Sequence, residues 1–233
     1  MRCAIMQPTY FPWAGYFNLM SQVDYFVFLD DVQFDKRSWQ QRNRILLEGK
    51  DRFISVPVKA GGQEQIIHEV MIDDSQPWRN KQQMTIRHAY ARHPYKNEVW
   101  NLIDTIGDVS YKFLADLNIR LITDISEKLA LSCSFIRAST LNIGGKRSKH
   151  LLNICNYLKC DEYLSPLGSA AYLSEEGLFD NNSVKLMFQD YTPLSYPQRG
   201  NEVFISHLSI LDAVANLGWS KTVEYVLRGR VNQ

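Results

Sequence analysis

The segment after the first apolar run of the sequence is rich in aromatic and amide side chains. Residues 2–6 are apolar, and the next eleven residues read QPTYFPWAGYF. Two prolines and a glycine predict a loop, and a glycine where a loop enters a helix lets backbone N–H groups approach an anion. We expect Gln7 to take part in catalysis and Gly15 to contact phosphate. An aromatic turn that caps the core is the alternative. Three rings are candidates to hold a base or a sugar: Tyr10, Trp13 and Tyr16.

Two adjacent carboxylates follow the second apolar run, at residues 24–30. Asp30 and Asp31 are predicted catalytic residues, because carboxylates at strand ends bind Mg²⁺, hold sugar hydroxyls or take up a proton. A plain turn cap is the alternative. The polar loop that follows suits phosphate and directional hydrogen bonds, although a solvated loop would have the same composition. Its candidate binding residues are Gln33, Lys36, Trp39, Arg42 and Asn43.

A basic, glycine-rich segment at residues 144–150 opens a helical run. Cations and a hydroxyl at a helix N-terminus favour an anion site, here through Lys146 and Ser148, whereas a basic helix cap is the alternative. The spacing is not that of a P-loop. Ser209 is a predicted helix N-cap rather than a nucleophile, because no G-x-S-x-G elbow surrounds it. Further candidate pocket residues are Tyr172, Gln198 and His207.

The apolar periodicity predicts an α/β protein. A strand at 2–6, a helix at 15–23 and a strand at 24–30 form a βαβ unit, which requires a parallel sheet. Polar residues then follow the strands at their carboxyl ends, where open α/β sheets bind ligands. Residues 35–45 are predicted to be a loop, and a small β excursion is expected at about 52–73. Further helices are predicted at 78–90, 97–106, 111–131 and after 146, and further strands at 133–140, 161–166 and 184–191. We predict a single domain over 1–233, with a C-terminal helical part at about 205–233.

Composition excludes several classes of protein. The chain has 233 residues, of which 45% are hydrophobic and 22% charged, so it is not an intrinsically disordered chain. A net charge of +1 argues against a nucleic-acid binder. No apolar stretch approaches the roughly 20 residues of a membrane span, and no leader pattern opens the sequence. Four cysteines without zinc-ligand spacing predict no metal site and, as reduced thiols, a cytoplasmic protein.

Seven strings of the sequence resemble the WbqC-like protein family. They are QPTYFPWAGYF at 7–17, DDVQF at 30–34, QRN at 41–43, KRSKHLLNIC at 146–155, YLSPLGSAAYL at 163–173, YPQRG at 196–200 and LSILDAVANLG at 208–218. The first is the most specific, and His150 stands where the family usually has an arginine. Genes of this family lie among bacterial O-antigen and capsule genes. The resemblance therefore implies a role in surface-polysaccharide biosynthesis.

A fainter similarity connects residues 2–30 with the opening of HxGH-type nucleotidyl transferases such as pantothenate synthetase. Trp13-Ala-Gly15-Tyr16 falls where those enzymes have His-x-Gly-His, and residues 149–166 resemble their helix–strand segment. The similarity implies a mostly parallel, Rossmann-like sheet of the HUP or nucleotidyl-transferase-like type, and makes ATP with Mg²⁺ a candidate cofactor. Because both histidines are replaced, their stabilisation of charge on a transferring phosphate is lost.

The resemblances imply a transferase or ligase that attaches an aminoacyl group, such as glycyl, or an acyl group to the amine of a nucleotide-linked amino sugar. Asp30 or Asp31 would deprotonate the amine or hold Mg²⁺ in this reaction. The main alternative is a non-catalytic sugar-nucleotide-binding partner of a polysaccharide-biosynthesis enzyme. The expected small-molecule partners are the nucleotide sugar and the acyl donor. A second copy of the chain and a carrier protein are the candidate protein partners.

Overall fold

The described part of the chain, residues 1–62, 64–180 and 182–228 of a computed structural model, alternates strands and helices. The elements are β1 (Arg2–Met6), α1 (Ala14–Met20), β2 (Tyr25–Phe28), β3 (Arg42–Leu47), β4 (Lys50–Ser55), α2 (Trp78–Tyr90), α3 (Lys96–Ile103), α4 (Leu114–Lys128), β5 (Ser134–Arg137), α5 (Arg147–Tyr157), β6 (Glu162–Ser165), α6 (Ala170–Glu176), β7 (Lys185–Phe188) and α7 (Ile210–Leu227). Short 3₁₀ turns lie at 67–69, 104–107, 138–140 and 167–169. None of the helices in these ranges has the length and apolarity needed to cross a bilayer.

The main sheet has five parallel strands in the order β5-β2-β1-β6-β7. The predicted α/β class and the parallel sheet are confirmed. Helices cover both faces, so the strands are apolar on both sides. In β1, Ala4 faces one core cluster while Cys3 and Ile5 face the other, as the two-residue period of a strand requires. The second cluster also buries Cys155 and Cys160.

The β excursion is an antiparallel hairpin of β3 and β4, followed by single bridges such as Val58↔Ile72. The prediction of a β excursion is right, but its bounds are wrong. The strands begin at residue 42, inside the segment predicted to be a loop, and residues 67–69 form a 3₁₀ turn. The polar residues at the start of β3 have the composition of a loop, so the strand was not predicted there. One of them, Asn43, is buried by a tertiary contact that sequence periodicity does not show.

The C-terminal helical part is α7, which consists of two helical segments joined by a kink. Gly218 interrupts its helical geometry with a φ of 70° and a ψ of 170°. A Cβ at Gly218 would stand 2.7 Å from the ring of Tyr95, so the kink depends on glycine in two ways. The hydroxyl of Ser209 accepts a hydrogen bond from Leu211 N at 3.3 Å, which confirms the predicted N-cap. Residues 229–233 of the predicted helical part lie outside the described residues.

Candidate functional site

The strand order of the main sheet reverses between β1 and β6. The chain leaves β1 toward β2 on one side and leaves β6 toward β7 on the other, so the loops after these strands diverge. Open α/β sheets bind ligands at this reversal. A cavity of about 360 Å³ lies here. It is lined by Ile5, Met6, Gln7, Thr9, Leu29, Ser38, Trp39, Gln40, Leu151, Tyr163, Pro166, Ser169 and Tyr172.

A second cavity, of about 350 Å³, adjoins the first and shares Met6, Thr9 and Trp39 with it. Its other lining residues are Pro12, Trp13, Tyr16, Asn43, Arg44 and His207. We call the two cavities together the crevice. Each lies within the 300–1,000 Å³ typical of small-molecule sites. Trp39 is 49% exposed between them, so its indole is accessible to a ligand that spans both.

The indole of Trp13 forms one wall of the crevice because Gly15 leaves room for it. A Cβ at Gly15 would stand 2.3 Å from the far edge of the Trp13 ring. The same indole packs against the His207 ring at a centroid distance of 4.5 Å and against Tyr191 at 5.5 Å. Gly15 therefore acts through side-chain packing, and its carbonyl accepts a hydrogen bond from Gln189. The structure places Gly15 beneath Trp13 rather than on the cavity surface.

Two buried asparagines hold the loop after β1 in place. Asn43 Nδ2 donates to the carbonyls of Tyr10 and Phe11 at 3.0 and 2.8 Å. Asn118 Nδ2 donates to the carbonyls of Pro8 and Gln40 at 3.1 and 2.7 Å. Both side chains are at most 3% exposed. The loop is thus preorganised, although Phe11 adopts a φ of 42° that L-residues rarely occupy.

Arg44 and His207 supply the titratable groups among the crevice-lining residues, apart from phenols. One end of the Arg44 guanidinium is 3.0 Å from Asp51 Oδ2, whereas its buried Nε has no hydrogen-bond partner. His207 Nδ1 lies 2.8 Å from the Ser206 hydroxyl. Partial burial, followed by the nearby Arg44 cation, lowers the pKa of His207. The imidazole is therefore neutral at pH 7 and able to accept a proton.

The two predicted catalytic aspartates are engaged with other side chains. Asp30 is fully buried; its Oδ2 accepts from Arg137 Nε at 2.7 Å and from the Ser139 hydroxyl at 2.9 Å. Its Oδ1 accepts from Ser139 N at 2.9 Å. Asp31 Oδ2 lies 3.0 Å from His150 Nε2, and this contact raises the pKa of His150. Neither aspartate lines the crevice cavities.

This arrangement does not fit a Mg²⁺ ion held between Asp30 and Asp31. Both carboxylate oxygens of Asp30, which a hard cation would need, already accept hydrogen bonds. Asp31 has one buried oxygen, Oδ1, without a partner. Within the described ranges, no group of three His, Cys, Asp or Glu side chains is placed to hold a metal ion.

The predicted anion site at the start of α5 is occupied by a carboxylate of the chain itself. Glu176 Oε2 accepts from Ser148 N at 3.2 Å, and Glu176 Oε1 lies 2.6 Å from Arg147 Nε. These contacts lower the pKa of Glu176, the bond with Ser148 first. Ser148 is buried, whereas Lys146 is exposed at the N-cap. An external anion would have to displace Glu176.

The crevice brings together seven of the predicted site residues, and the others lie elsewhere. Those that line it are Gln7, Trp13, Tyr16, Trp39, Asn43, Tyr172 and His207. Tyr10 is fully buried and bonds to Gln82, and Gln198 is buried against Asp212. Gln33 and Lys36 are exposed, and the Arg42 guanidinium lies 4.2 Å over the Phe53 ring.

Sequence reasoning missed Arg44 and Gln40 as lining residues. Gln40 Nε2 donates to Gln7 Oε1 at 2.9 Å and so fixes the orientation of a predicted residue. Tyr163 lies in β6, next to β1 across the reversal point. Periodicity does not reveal Arg44, because residues 42–47 read RNRILL, three polar residues followed by three apolar ones, with no strand-like alternation.

The comparisons with known proteins agree with the resemblance noted in the sequence. The model of the WbqC-like protein family matches residues 7–224, which includes every crevice-lining residue except Ile5 and Met6. The chain is 30% identical over 219 residues to a Mycobacterium tuberculosis protein named "Uncharacterized protein Rv1507c". The match covers 93% of this chain and 94% of that protein. No solved structure matches the chain.

Proposed function

The chain belongs to the WbqC-like protein family, and from that premise we propose that its crevice binds a nucleotide-linked amino sugar in the cytoplasm. The reaction that we propose is the attachment of an aminoacyl or acyl group to the sugar's amine, within surface-polysaccharide biosynthesis. The observation that carries the proposal is a two-part crevice at the strand-order reversal, with an exposed indole between its halves and a cation at one side.

The composition of the crevice supports a ligand with an aromatic base, a diphosphate and a hydroxylated ring. Trp39 offers an accessible face for stacking, which suits any nucleobase. The unpartnered Nε of Arg44 points to an anionic group, because a buried guanidinium donor without an acceptor is costly. The amides of Gln7 and Gln40 suit sugar hydroxyls. The length of a sugar nucleotide would require both cavities.

His207 is the crevice residue best suited to accept the proton that the amine must lose. In the proposed step, the amine nitrogen attacks the donor's acyl carbon, the new C–N bond forms, and the donor's leaving group departs with its electron pair. The donor is an activated acyl compound such as a thioester or an acyl adenylate. His207 is neutral at pH 7, and the Ser206 hydroxyl at 2.8 Å orients its ring.

The placement of Asp30 and Asp31 favours one alternative, a sugar-nucleotide-binding protein without catalysis of its own. Both carboxylates are engaged by Arg137, Ser139 or His150, so neither supplies a free base to the crevice. The catalytic role of these aspartates stays a prediction. Mass spectrometry of the sugar nucleotide, after incubation with the isolated chain and an acyl donor, distinguishes transfer from binding alone.

The binding proposal is tested by thermal shift and calorimetry with dTDP- and UDP-linked amino sugars, ATP with Mg²⁺, and coenzyme A. We expect an amino-sugar nucleotide to stabilise the chain, and Arg44→Gln to weaken its binding by about 10–100-fold, the range for a hydrogen bond to a charged group. Arg52→Gln is the matched control, because Arg52 is exposed on the same hairpin and does not line the crevice. Equal affinity in the Arg44 variant and the wild type would contradict the proposed diphosphate position.

The catalytic proposal is tested with His207→Asn. If turnover is detected, this variant should lower kcat strongly and leave the nucleotide-sugar affinity within a few fold. Asp30→Asn and Asp31→Asn are the comparison, since a catalytic role for either predicts a similar loss of turnover. Full turnover in His207→Asn would show that another group takes the proton.

A further inference from the structure

A cavity of about 830 Å³ lies apart from the crevice, and we call it the basin. Its walls are the β3–β4 turn, the end of α2 and the segment at 199–200. It shares no lining residue with the two crevice cavities. None of the residues that the sequence singled out as a candidate site lines it either. The proposed function therefore gives this cavity no role.

Two guanidinium groups without a carboxylate partner border the basin. Arg92 and Arg199 are both exposed at its edge, and neither forms an ion pair within the described ranges. Glu48 is the acidic lining residue, and its carboxylate lies 4.0 Å from His88. The Glu48 carboxylate and the carboxyl end of α2, which contributes about half a negative charge, together still leave the two guanidinium groups in excess.

A buried imidazole completes the site. His93 is 7% exposed and lines the basin, and neither of its ring nitrogens has a hydrogen-bond partner. Its ring packs edge-on against Tyr90 at a centroid distance of 5.0 Å. Buried polar groups in proteins are nearly always hydrogen-bonded, so two open positions on one buried ring require an explanation. A neutral imidazole offers one donor and one acceptor to a ligand.

The backbone that shapes the basin is fixed by close approach of two turns. Glu48 and Gly49 have φ values of 53° and 72°, and Gly200 has a φ of 84°. A Cβ at Gly49 would lie 3.3 Å from the Gly200 carbonyl. The β3–β4 turn and the 199–200 segment therefore meet directly, which fixes Arg199 relative to the end of α2. A cavity with walls set in this way is preformed.

We propose that the basin binds a small molecule that carries a phosphate group, at a site separate from the crevice. Arg92 and Arg199 contact the phosphate oxygens, because the planar guanidinium matches this group with two parallel hydrogen bonds. His93 donates to an oxygen of the same ligand or accepts from one of its hydroxyls. The volume of the basin accommodates a ligand larger than phosphate alone.

The test is calorimetric titration of the whole chain with inorganic pyrophosphate at constant ionic strength. We expect a binding site that persists in Arg44→Gln, with affinity that falls as potassium chloride is added. Arg92→Gln and Arg199→Gln should each weaken binding by about tenfold or more. His93→Gln is a third variant. If the His93 variant fails to fold, the two arginine variants still test the proposal, because they change exposed side chains.

Two controls separate this site from the crevice and from general charge. Lys81→Gln removes an exposed cation of α2 that does not line the basin, and it should bind as the wild type does. Arg44→Gln removes the cation that we propose for the diphosphate in the crevice, so the pyrophosphate site that persists in this variant and is weakened in the Arg92 and Arg199 variants is the basin. The absence of binding at millimolar pyrophosphate would overturn the proposal. So would a loss in Arg44→Gln with none in the Arg92 and Arg199 variants, or an equal loss in the lysine control.

Discussion

Replacing Asp212 with asparagine should make the folded protein more stable at neutral pH. Asp212 is fully buried at the start of α7, where its Oδ2 accepts from the Tyr196 hydroxyl at 2.7 Å and from Gln198 Nε2 at 2.9 Å. Its Oδ1 has no hydrogen-bond partner. Burial raises the pKa of Asp212 from 3.8 to about 6, against the opposing effect of Tyr196, Gln198 and Tyr90. The charged form is therefore disfavoured in the folded state.

The sign and size of the effect follow from this pKa. Because the folded pKa lies above the unfolded one, folding favours the protonated carboxyl. The stability that this group contributes is complete below about pH 4 and is lost as the pH rises through about 6. A shift of about two units corresponds to ~3 kcal/mol. The amide oxygen of asparagine can accept the same two hydrogen bonds without a charge, so Asp212→Asn should not lose this contribution.

The assay is urea denaturation of both proteins between pH 4 and pH 8. The difference in free energy of unfolding, asparagine variant minus wild type, should increase by ~3 kcal/mol from the lowest pH to pH 7. Other titrating groups cancel in this difference, because they are the same in both proteins. Asp190→Asn is the control, since it makes the same change at an exposed position. A flat or falling difference for the Asp212 variant would refute the reasoning.

Three further substitutions test buried contacts, two beside the crevice and one at the Asp30–Arg137 ion pair. Gly15→Ala should displace the Trp13 indole, which a Cβ would approach to 2.3 Å, and should be seen as a change in tryptophan fluorescence with a stability loss of ~1–3 kcal/mol. Asn43→Ala should leave two loop carbonyls without their donor and lower the free energy of unfolding, measured in urea, by ~1–3 kcal/mol. Arg137→Ala should lower the free energy of unfolding by ~3–5 kcal/mol, because it leaves the Asp30 carboxylate buried without its cation. Adding Asp30→Asn should restore part of that loss in a double-mutant cycle.

The parts of the fold that sequence predicts well are those that local periodicity determines. β1 and β2 are uninterrupted apolar runs with both faces buried, and α2 has the predicted bounds, Trp78–Tyr90. Helix α6 was not predicted, because Leu173 is its one buried residue and no apolar period marks the segment. The start of β3 was missed for a different reason. Its polar Asn43 is buried through bonds to residues 10 and 11, which lie far away in the sequence.

The sequence predicts the edge of the sheet where the candidate site lies, but it does not predict which side chains line the site. Polar residues after β1 and β2 indicated the edge of the sheet at which the crevice lies. Whether each side chain faces the cavity depends on distant partners: Asp30 bonds to Arg137, and the Tyr10 hydroxyl bonds to Gln82. No local pattern predicts these pairings. Residue type alone therefore does not distinguish a buried structural side chain from one that lines the crevice.

The central position of β1 has a consequence for how the protein is made. β1 pairs with β2 on one side, but its other edge pairs with β6, which begins only at Glu162. Because chains are synthesised at 5–20 residues per second, the second edge waits roughly 10–30 s for its partner. During that time, a strand with unpaired N–H and C=O groups is open to association with other chains or to chaperones. The two strands that border the crevice are therefore joined late in synthesis, after every helix from α1 to α5 has been made.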